Sequence, residues 1–198
     1  MNNSRMLLIA PMLIFGVSGI GFYFYFMYVP HSGPFHDNLV PELIGFCLEG
    51  FFLVGLLTLI QASRERARKK ELWLSLRGVL RGILSHVDIA FLPPNAEPTE
   101  TKMLEEDKKI VGHFMKELEA HRLNLRSMTS LKRESIDSLS MARDMIPVAA
   151  QLSAEHMRWW IAIVDSIRKL SKSHSREAVE QNLYLVLENI NEFDTLDL

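Results

Sequence analysis

A single carboxylate stands inside a long apolar stretch of this chain. Glu49 lies within residues 43–57, where every other residue is aliphatic, aromatic, Gly or Cys. A carboxyl group deep in a bilayer costs on the order of 3 kcal/mol, so such groups usually face neighbouring helices or a water-filled cavity. Glu49 must therefore hold a proton, find a partner or take part in the function.

Glu42 and Gly45 belong to the same helix face as Glu49. They precede Glu49 by seven and four residues, spacings that return to one side of an α-helix. This face is acidic and small at one end and becomes bulky at Phe52. We take Glu42, Gly45 and Glu49 as the candidate functional residues within the membrane.

Three roles for Glu49 follow from its surroundings. A protonated carboxyl can hydrogen-bond a neighbouring helix. A ring of carboxylates from several copies can line a water path that favours cations. Alternatively, Glu49 can pair with a base on another molecule, because residues 43–62 contain no Lys, Arg or His. The sequence leaves these three roles open.

Motifs typical of soluble enzymes are missing from the chain. It contains no Gly-rich phosphate loop, no G-x-S-x-G, no H-E-x-x-H and no paired C-x-x-C. His113, Glu117 and His121 share one helix face, but the sequence indicates no further ligands to complete a metal site. We therefore expect no enzyme activity, no cofactor, no metal and no small-molecule substrate.

Two stretches fit the Arg-x(4–6)-His pattern of the all-α HEPN ribonucleases. They run from Arg81 to His86 and from Arg168 to His174. With 13 Arg and 7 His in the chain, roughly one such match is expected by chance. The motif therefore carries little information, and a HEPN-like ribonuclease is kept as an alternative function.

Glu49 belongs to the second of two apolar runs, and both runs are predicted to be membrane spans. Apolar runs cover residues 6–28 and 43–62, and about 20 such residues cross a hydrocarbon core of ~30 Å. Of the 22 Lys and Arg, 21 follow residue 62. The predicted fold is all-α, with a transmembrane helical hairpin at 1–62, an outer loop at 29–42 and a cytoplasmic helical bundle.

The basic residues predict the orientation in the membrane. Arg5 precedes the first span, the loop at 29–42 has no Lys or Arg, and a basic flank follows the second span: Arg64, Arg66, Arg68, Lys69 and Lys70. Positive residues remain on the cytoplasmic side. We expect an inner (plasma) membrane protein with both termini in the cytoplasm and the flank near anionic lipids.

Helical patterns continue after the second span. Apolar residues recur at helical spacing in a stripe formed by Trp73, Leu76, Leu80, Ile83, Val87 and Phe91. Residues 63–92 are therefore predicted to continue the second span as one membrane-proximal helix. Residues 99–198 are predicted to form the bundle, with helices near 101–125, 131–145 and 147–170. A last helix is expected to begin after Ser175 as its N-cap, which gives four or five helices in the region from Arg64 on.

This organisation resembles the membrane effectors of bacterial anti-phage systems. The nearest resemblance is to the two-span proteins associated with certain retrons, and the second is to cyclic-oligonucleotide-gated CRISPR accessory membrane proteins. It is a likeness of architecture: a hairpin with both ends inside, followed by a small helical domain without a catalytic motif.

The resemblance implies an inner-membrane toxin of an antiviral defence system. A cytoplasmic protein or ribonucleoprotein partner would hold it inactive, and when triggered it would form homo-oligomers that permeabilise the lipid bilayer. A membrane-anchored scaffold or signalling adaptor, whose helical domain docks a protein, is the second alternative.

Overall fold

The computed structural model of the chain describes residues 3–29, 33, 35–93 and 95–197. All regular structure in these ranges is helical, which confirms the predicted all-α class. The α-helices are α1 (Asn3–Tyr28), α2 (Val40–Phe91), α3 (Thr101–Glu106), α4 (Ile110–Ala120), α5 (Leu125–Asp144), α6 (Ile146–Leu152), α7 (Ala154–Ser171) and α8 (Arg176–Thr195). A short π-helical turn covers Phe35–Leu39.

The chain divides into two compact units, Met1–Ala67 and Arg68–Leu198. The long helix α2 contributes residues to both, and it runs without a break from Val40 to Phe91. Pro41 occupies its first turn, where a missing backbone N–H costs nothing. Of the predicted outer loop at 29–42, residues 30–32 and 34 lie outside the described part of the chain.

Glycines allow α1 and α2 to approach each other in the N-terminal unit. A Cβ added at Gly50 would lie 2.7 Å from ring carbons of Phe15, and one at Gly19 would lie 3.1 Å from Cβ of Cys47. The ring of Phe15 also meets that of Phe46 edge-on, with 5.8 Å between centroids. Small residues at such positions permit close helix packing.

The C-terminal unit has an apolar core built from several helices. The predicted stripe of α2 is buried at Trp73, Leu76, Leu80, Ile83 and Val87, while Phe91 is half-buried. It packs in one cluster with apolar residues from the other helices, the fully buried ones of α7 and α8 being Trp160, Ile163, Ile167, Leu170, Leu183, Val186, Leu187, Ile190 and Phe193. Among the described helices, α7 makes its most extensive contacts with α8.

Two of the predicted helices are each divided into two shorter helices. Within residues 101–125 the structure has two helices, α3 and α4, and Leu125 is 73% exposed at the start of α5. There Asn124 caps α5 by accepting a hydrogen bond from the Ser127 N–H at 2.8 Å. Residues 147–170 are divided at Ser153, which caps α7.

The predicted cap of the last helix is confirmed. Oγ of Ser175 accepts a hydrogen bond from the Ala178 N–H at 3.2 Å, and α8 follows directly. The expected number of four or five helices is wrong, because α3 to α8 alone are six, and the end of α2 adds a seventh. Periodicity continued across the breaks at 107–109 and 153, so the apolar pattern alone did not reveal them.

Candidate functional site

Glu49 lies on the surface of α2, among apolar side chains. Its side chain is exposed, as is that of Glu42, while Gly45 is half-buried. A Cβ at Gly45 would meet nothing within 4 Å, so the space above this residue is open. The predicted face of Glu42, Gly45, Glu49 and Phe52 is therefore uncovered in the single chain.

A surface cavity of about 740 Å³ borders Glu49. Its other lining residues are all apolar or Gly: Phe15, Phe46, Leu48, Gly50, Phe52, Leu53, Val54 and Leu56. Within the described ranges, Glu49 makes no hydrogen bond and no ion pair. In hydrocarbon such a carboxyl group would be unfavourable until another molecule, water or a proton reached it.

The predicted basic flank lies along α2. Arg64, Arg66, Arg68 and Lys70 are exposed, and Lys69 is half-buried. Arg68 donates a hydrogen bond to Oε1 of Gln151 at 2.9 Å. The other exposed side chains are open to contact anionic groups.

The arginines and histidines of the two HEPN-like stretches face different partners. Nη1 of Arg81 pairs with Oε1 of Glu105 at 3.0 Å, whereas Nδ1 of His86 lies 4.0 Å from Oε2 of Glu134. In the second stretch, Arg168 pairs with Asp165 within α7. His174 lies beyond the end of that helix, in the turn before α8.

The three residues of the possible metal face do not come together as one ligand set. Nδ1 of His121 lies 3.2 Å from Oε2 of Glu117, whereas the ring of His113 lies beside that of Phe114. The described residues contain no group of three His, Cys, Asp or Glu side chains placed to hold a metal ion.

A buried ion pair in the C-terminal unit was not anticipated from the sequence. Arg77 of α2 and Asp194 of α8 are 0% and 3% exposed, and Nη1 of Arg77 lies 3.2 Å from Oδ2 of Asp194. Nη2 of Arg77 also donates hydrogen bonds to the carbonyl oxygens of Leu104 and Asp107, at 3.0 and 3.1 Å. The guanidinium therefore joins α2, α8 and the end of α3.

Trp73 and Lys108 surround this ion pair. The Arg77 guanidinium carbon lies 5.8 Å from the Trp73 ring centroid, and Nζ of Lys108 lies 5.2 Å from it. Nζ of Lys108 donates a hydrogen bond to the backbone oxygen of Asp194 at 2.6 Å. Arg77 in α2 and Asp194 in α8 are charged residues that lie among apolar residues at helical spacing. This is the sequence signal that could have indicated the pair.

Burial shifts the pKa values of both partners. Desolvation lowers the pKa of Arg77, and the charges of Asp194, Asp107 and Glu105 oppose that shift. Desolvation raises the pKa of Asp194 to about 6, although Arg77, Lys108 and Trp73 act in the opposite direction. The Asp194 carboxyl can therefore change its protonation state just below neutral pH.

Comparison of the chain with known proteins finds no matching family model, no matching curated protein and no matching solved structure.

Proposed function

We propose that this protein is an inner-membrane effector whose two-span helical hairpin self-associates and permeabilises the membrane. The observation that carries the proposal is the exposed carboxyl of Glu49 on an apolar surface of α2, unpartnered within the described part of the chain. The helical C-terminal unit would be cytoplasmic and would control this activity. An antiviral setting and a restraining protein or ribonucleoprotein partner are proposed from the resemblance alone.

The two apolar helices support insertion into a membrane. Ala10–Tyr28 and part of Asp37–Phe91 are long and apolar enough to cross a bilayer. In the most apolar segment of each helix, only 0% and 6% of the residues are buried inside the protein, whereas the core helix of a soluble protein is mostly buried. The exposed apolar surface therefore favours a lipid environment.

The order of contacts between α1 and α2 supports a hairpin. Phe15 of α1 is opposite Gly50 of α2, while Gly19, one turn later on α1, is opposite Cys47, about one turn earlier on α2. Contacts that advance along one helix and retreat along the other are expected of an antiparallel pair. Such a pair would return the chain to the side of the membrane from which it started.

The uncovered face around Glu49 supports self-association. Two helices cannot enclose a channel, so a water path requires several copies of the hairpin. Gly45 and Gly55 have open space where a Cβ would stand, which would let helices of other copies approach closely. Carboxyl groups brought together in this way would favour passage of cations.

Induction of the chain alone in bacterial cells tests this function. We expect loss of membrane potential, measured with a potential-sensitive dye, without any phage protein or other partner. Reporter fusions at both termini and in the loop at 29–42 would establish that the protein is inserted with two spans. Correct insertion with an undisturbed potential would contradict the proposal.

A membrane-anchored adaptor is the second candidate, and one groove of the C-terminal unit favours it. Leu125 and Ile136 are 73% and 58% exposed there, beside Lys132 and Arg176, as a protein-docking surface would require. Exchange of residues 1–62 for an unrelated two-span anchor separates the candidates. An adaptor would keep its function after the exchange, whereas the effector would lose it.

A further inference from the structure

Three lysines and a histidine surround one cavity between α4 and α8. The cavity has a volume of about 590 Å³. It is lined by Lys108, Lys109, Gly112, His113, Lys116, Asn191, Asp194 and Thr195. It belongs to the C-terminal unit and has no part in the membrane function proposed above.

The lysines of this cavity are not neutralised by ion pairs within the described part of the chain. Residues 68–198 as a whole are balanced, with 19 Lys and Arg against 20 Asp and Glu. Elsewhere in the unit, Arg81, Arg122 and Lys169 pair with carboxylates at 2.7–3.2 Å. Within the described part of the chain, the lysines of the cavity form no ion pair.

The one acidic residue of the lining, Asp194, interacts with Arg77 as well as with Lys108. Both carboxyl oxygens of Asp194 are covered, and the group faces Arg77 at 3.2 Å. What the cavity offers to a ligand is therefore mainly positive charge.

The shape of the cavity is partly fixed before any ligand arrives. Lys108 is held by its hydrogen bond to the Asp194 backbone oxygen at 2.6 Å. Gly112 leaves the wall open, because a Cβ there would meet nothing within 4 Å. Gly112, His113 and Lys116 recur at helical spacing on one face of α4, and Lys109 directly precedes that helix as its N-cap residue.

We propose that this cavity binds a phosphate-bearing ligand of about mononucleotide size. Lysine ammonium groups bind phosphates as point charges, and a phosphate carries more charge than a carboxylate to satisfy several of them. A volume of about 590 Å³ falls in the usual range of about 300–1,000 Å³ for small-molecule sites. The phosphate belongs either to a free nucleotide or to a lipid headgroup.

Titration calorimetry on the full chain in neutral detergent tests the site. The probes are ATP, pyrophosphate and micelles of short-chain phosphatidylglycerol, each at the same ionic strength. We expect saturable binding of at least one probe with a dissociation constant below about 1 mM. ATP or pyrophosphate binding identifies a soluble ligand, and binding of the lipid alone identifies a headgroup. Binding of none of the three overturns the proposal.

Charge reversal at the cavity supplies the specificity control. Lys109→Glu and Lys116→Glu should each weaken binding at least tenfold. Lys102→Glu is the matched control, since Lys102 is exposed on α3 outside the cavity and the charge change is the same. Equal loss in all three variants would mean non-specific attraction and would overturn the proposal. Lys116→Arg should retain most of the affinity, which guards against misfolding as the cause.

Discussion

At the scale of single residues, two substitutions of Glu49 distinguish a role in lining a water path from a role in a contact between helices. Glu49→Gln keeps hydrogen-bonding capacity but removes the charge, whereas Glu49→Leu removes both. We expect Gln to preserve self-association and to reduce cation passage by about tenfold or more, because the carboxylate ring is lost. Leu should impair both, as measured by crosslinking in membranes and by the rate of depolarisation.

A matched substitution of the same type gives the comparison for Glu49. Glu42→Gln removes an exposed carboxyl from the same face, nearer the start of α2. It should change depolarisation less than Glu49→Gln, since an outer carboxyl is reached by bulk water. If Glu49→Leu oligomerises and depolarises cells like the wild type, Glu49 has no role in either process.

The raised pKa of Asp194 predicts a pH-dependent stability. Its pKa is about 6 in the folded protein, against an ordinary 3.8. Between those values the folded form binds more protons than the unfolded chain, so the free energy of unfolding from this group falls as pH rises. The expected loss is on the order of 3 kcal/mol across the window. Asp194→Asn should flatten this slope.

Thermal unfolding of the full chain in detergent at several values between pH 4 and pH 7 measures this slope. The stability of the variant should be closest to that of the wild type near pH 4, where Asp194 is protonated, and the variant should not share the wild-type loss of stability towards pH 7. His156 provides an internal reference, since burial and the charges of Lys69 and Lys108 lower its pKa, and its contribution weakens on acidification in both proteins. An identical slope in wild type and variant would contradict the assignment.

Residue chemistry was predictable where the local sequence made it unusual. Glu49 was found because one carboxyl interrupts an apolar run. The pair of Arg77 and Asp194 was not, because its partners lie far apart in the chain and only tertiary packing brings them to 3.2 Å. Arg77 and Asp194 each lie among apolar residues whose spacing already predicted a helix.

At the scale of elements, Gly50 and Gly55 of α2 should respond in opposite ways to substitution by Ala. A Cβ at Gly50 would lie 2.7 Å from the ring of Phe15, whereas a Cβ at Gly55 would meet nothing within 4 Å. Gly55→Ala should stabilise the helix by up to about 1 kcal/mol through helix propensity. Gly50→Ala should lower stability, because the Phe15 ring must move.

Thermal unfolding of the two alanine variants in one detergent checks this difference. The N-terminal unit can be followed separately by the reactivity of Cys47, which is buried against α1 and is the only Cys in the chain. Faster labelling of Cys47 is expected for Gly50→Ala alone. Equal effects of both variants would argue against the observed contact of α1 with α2.

The positions of helix ends were only partly predictable. Ser175 was recognised because a capping residue directly precedes an apolar period. Ser153 was not, because apolar residues at helical spacing continue on both sides of it. There the Ser153 Oγ accepts from the His156 N–H at 3.1 Å, a contact that periodicity does not encode.

At the scale of the whole molecule, composition divides the chain into two regions. Where burial is described between residues 10 and 62, apolar residues are largely exposed, whereas those of the C-terminal unit form a buried core. The charge pattern changes in the same part of the chain, because Lys and Arg are concentrated after residue 62. The helical class followed from periodicity, while the cavity between α4 and α8 depends on how these helices pack.

The anchor exchange tests which region carries the effect on cells. Replacement of residues 1–62 by an unrelated two-span segment should abolish depolarisation while leaving the C-terminal unit folded. The matched truncated protein keeps residues 1–92 and lacks the rest, and it should depolarise cells if the proposed control by the C-terminal unit is inhibitory. If the exchanged protein still depolarises cells, the activity resides in the C-terminal unit, which would contradict the proposal.

Ion leakage from liposomes tests membrane permeabilisation most directly. Purified full-length protein is inserted into vesicles at increasing protein-to-lipid ratios, and potassium efflux is followed beside Glu49→Leu at equal insertion. We predict leakage that rises more steeply than linearly with protein density, because several hairpins must assemble, and that is strongly reduced in the variant. Vesicles that hold the correctly inserted wild-type protein yet remain as tight as protein-free vesicles would contradict the proposed effector function.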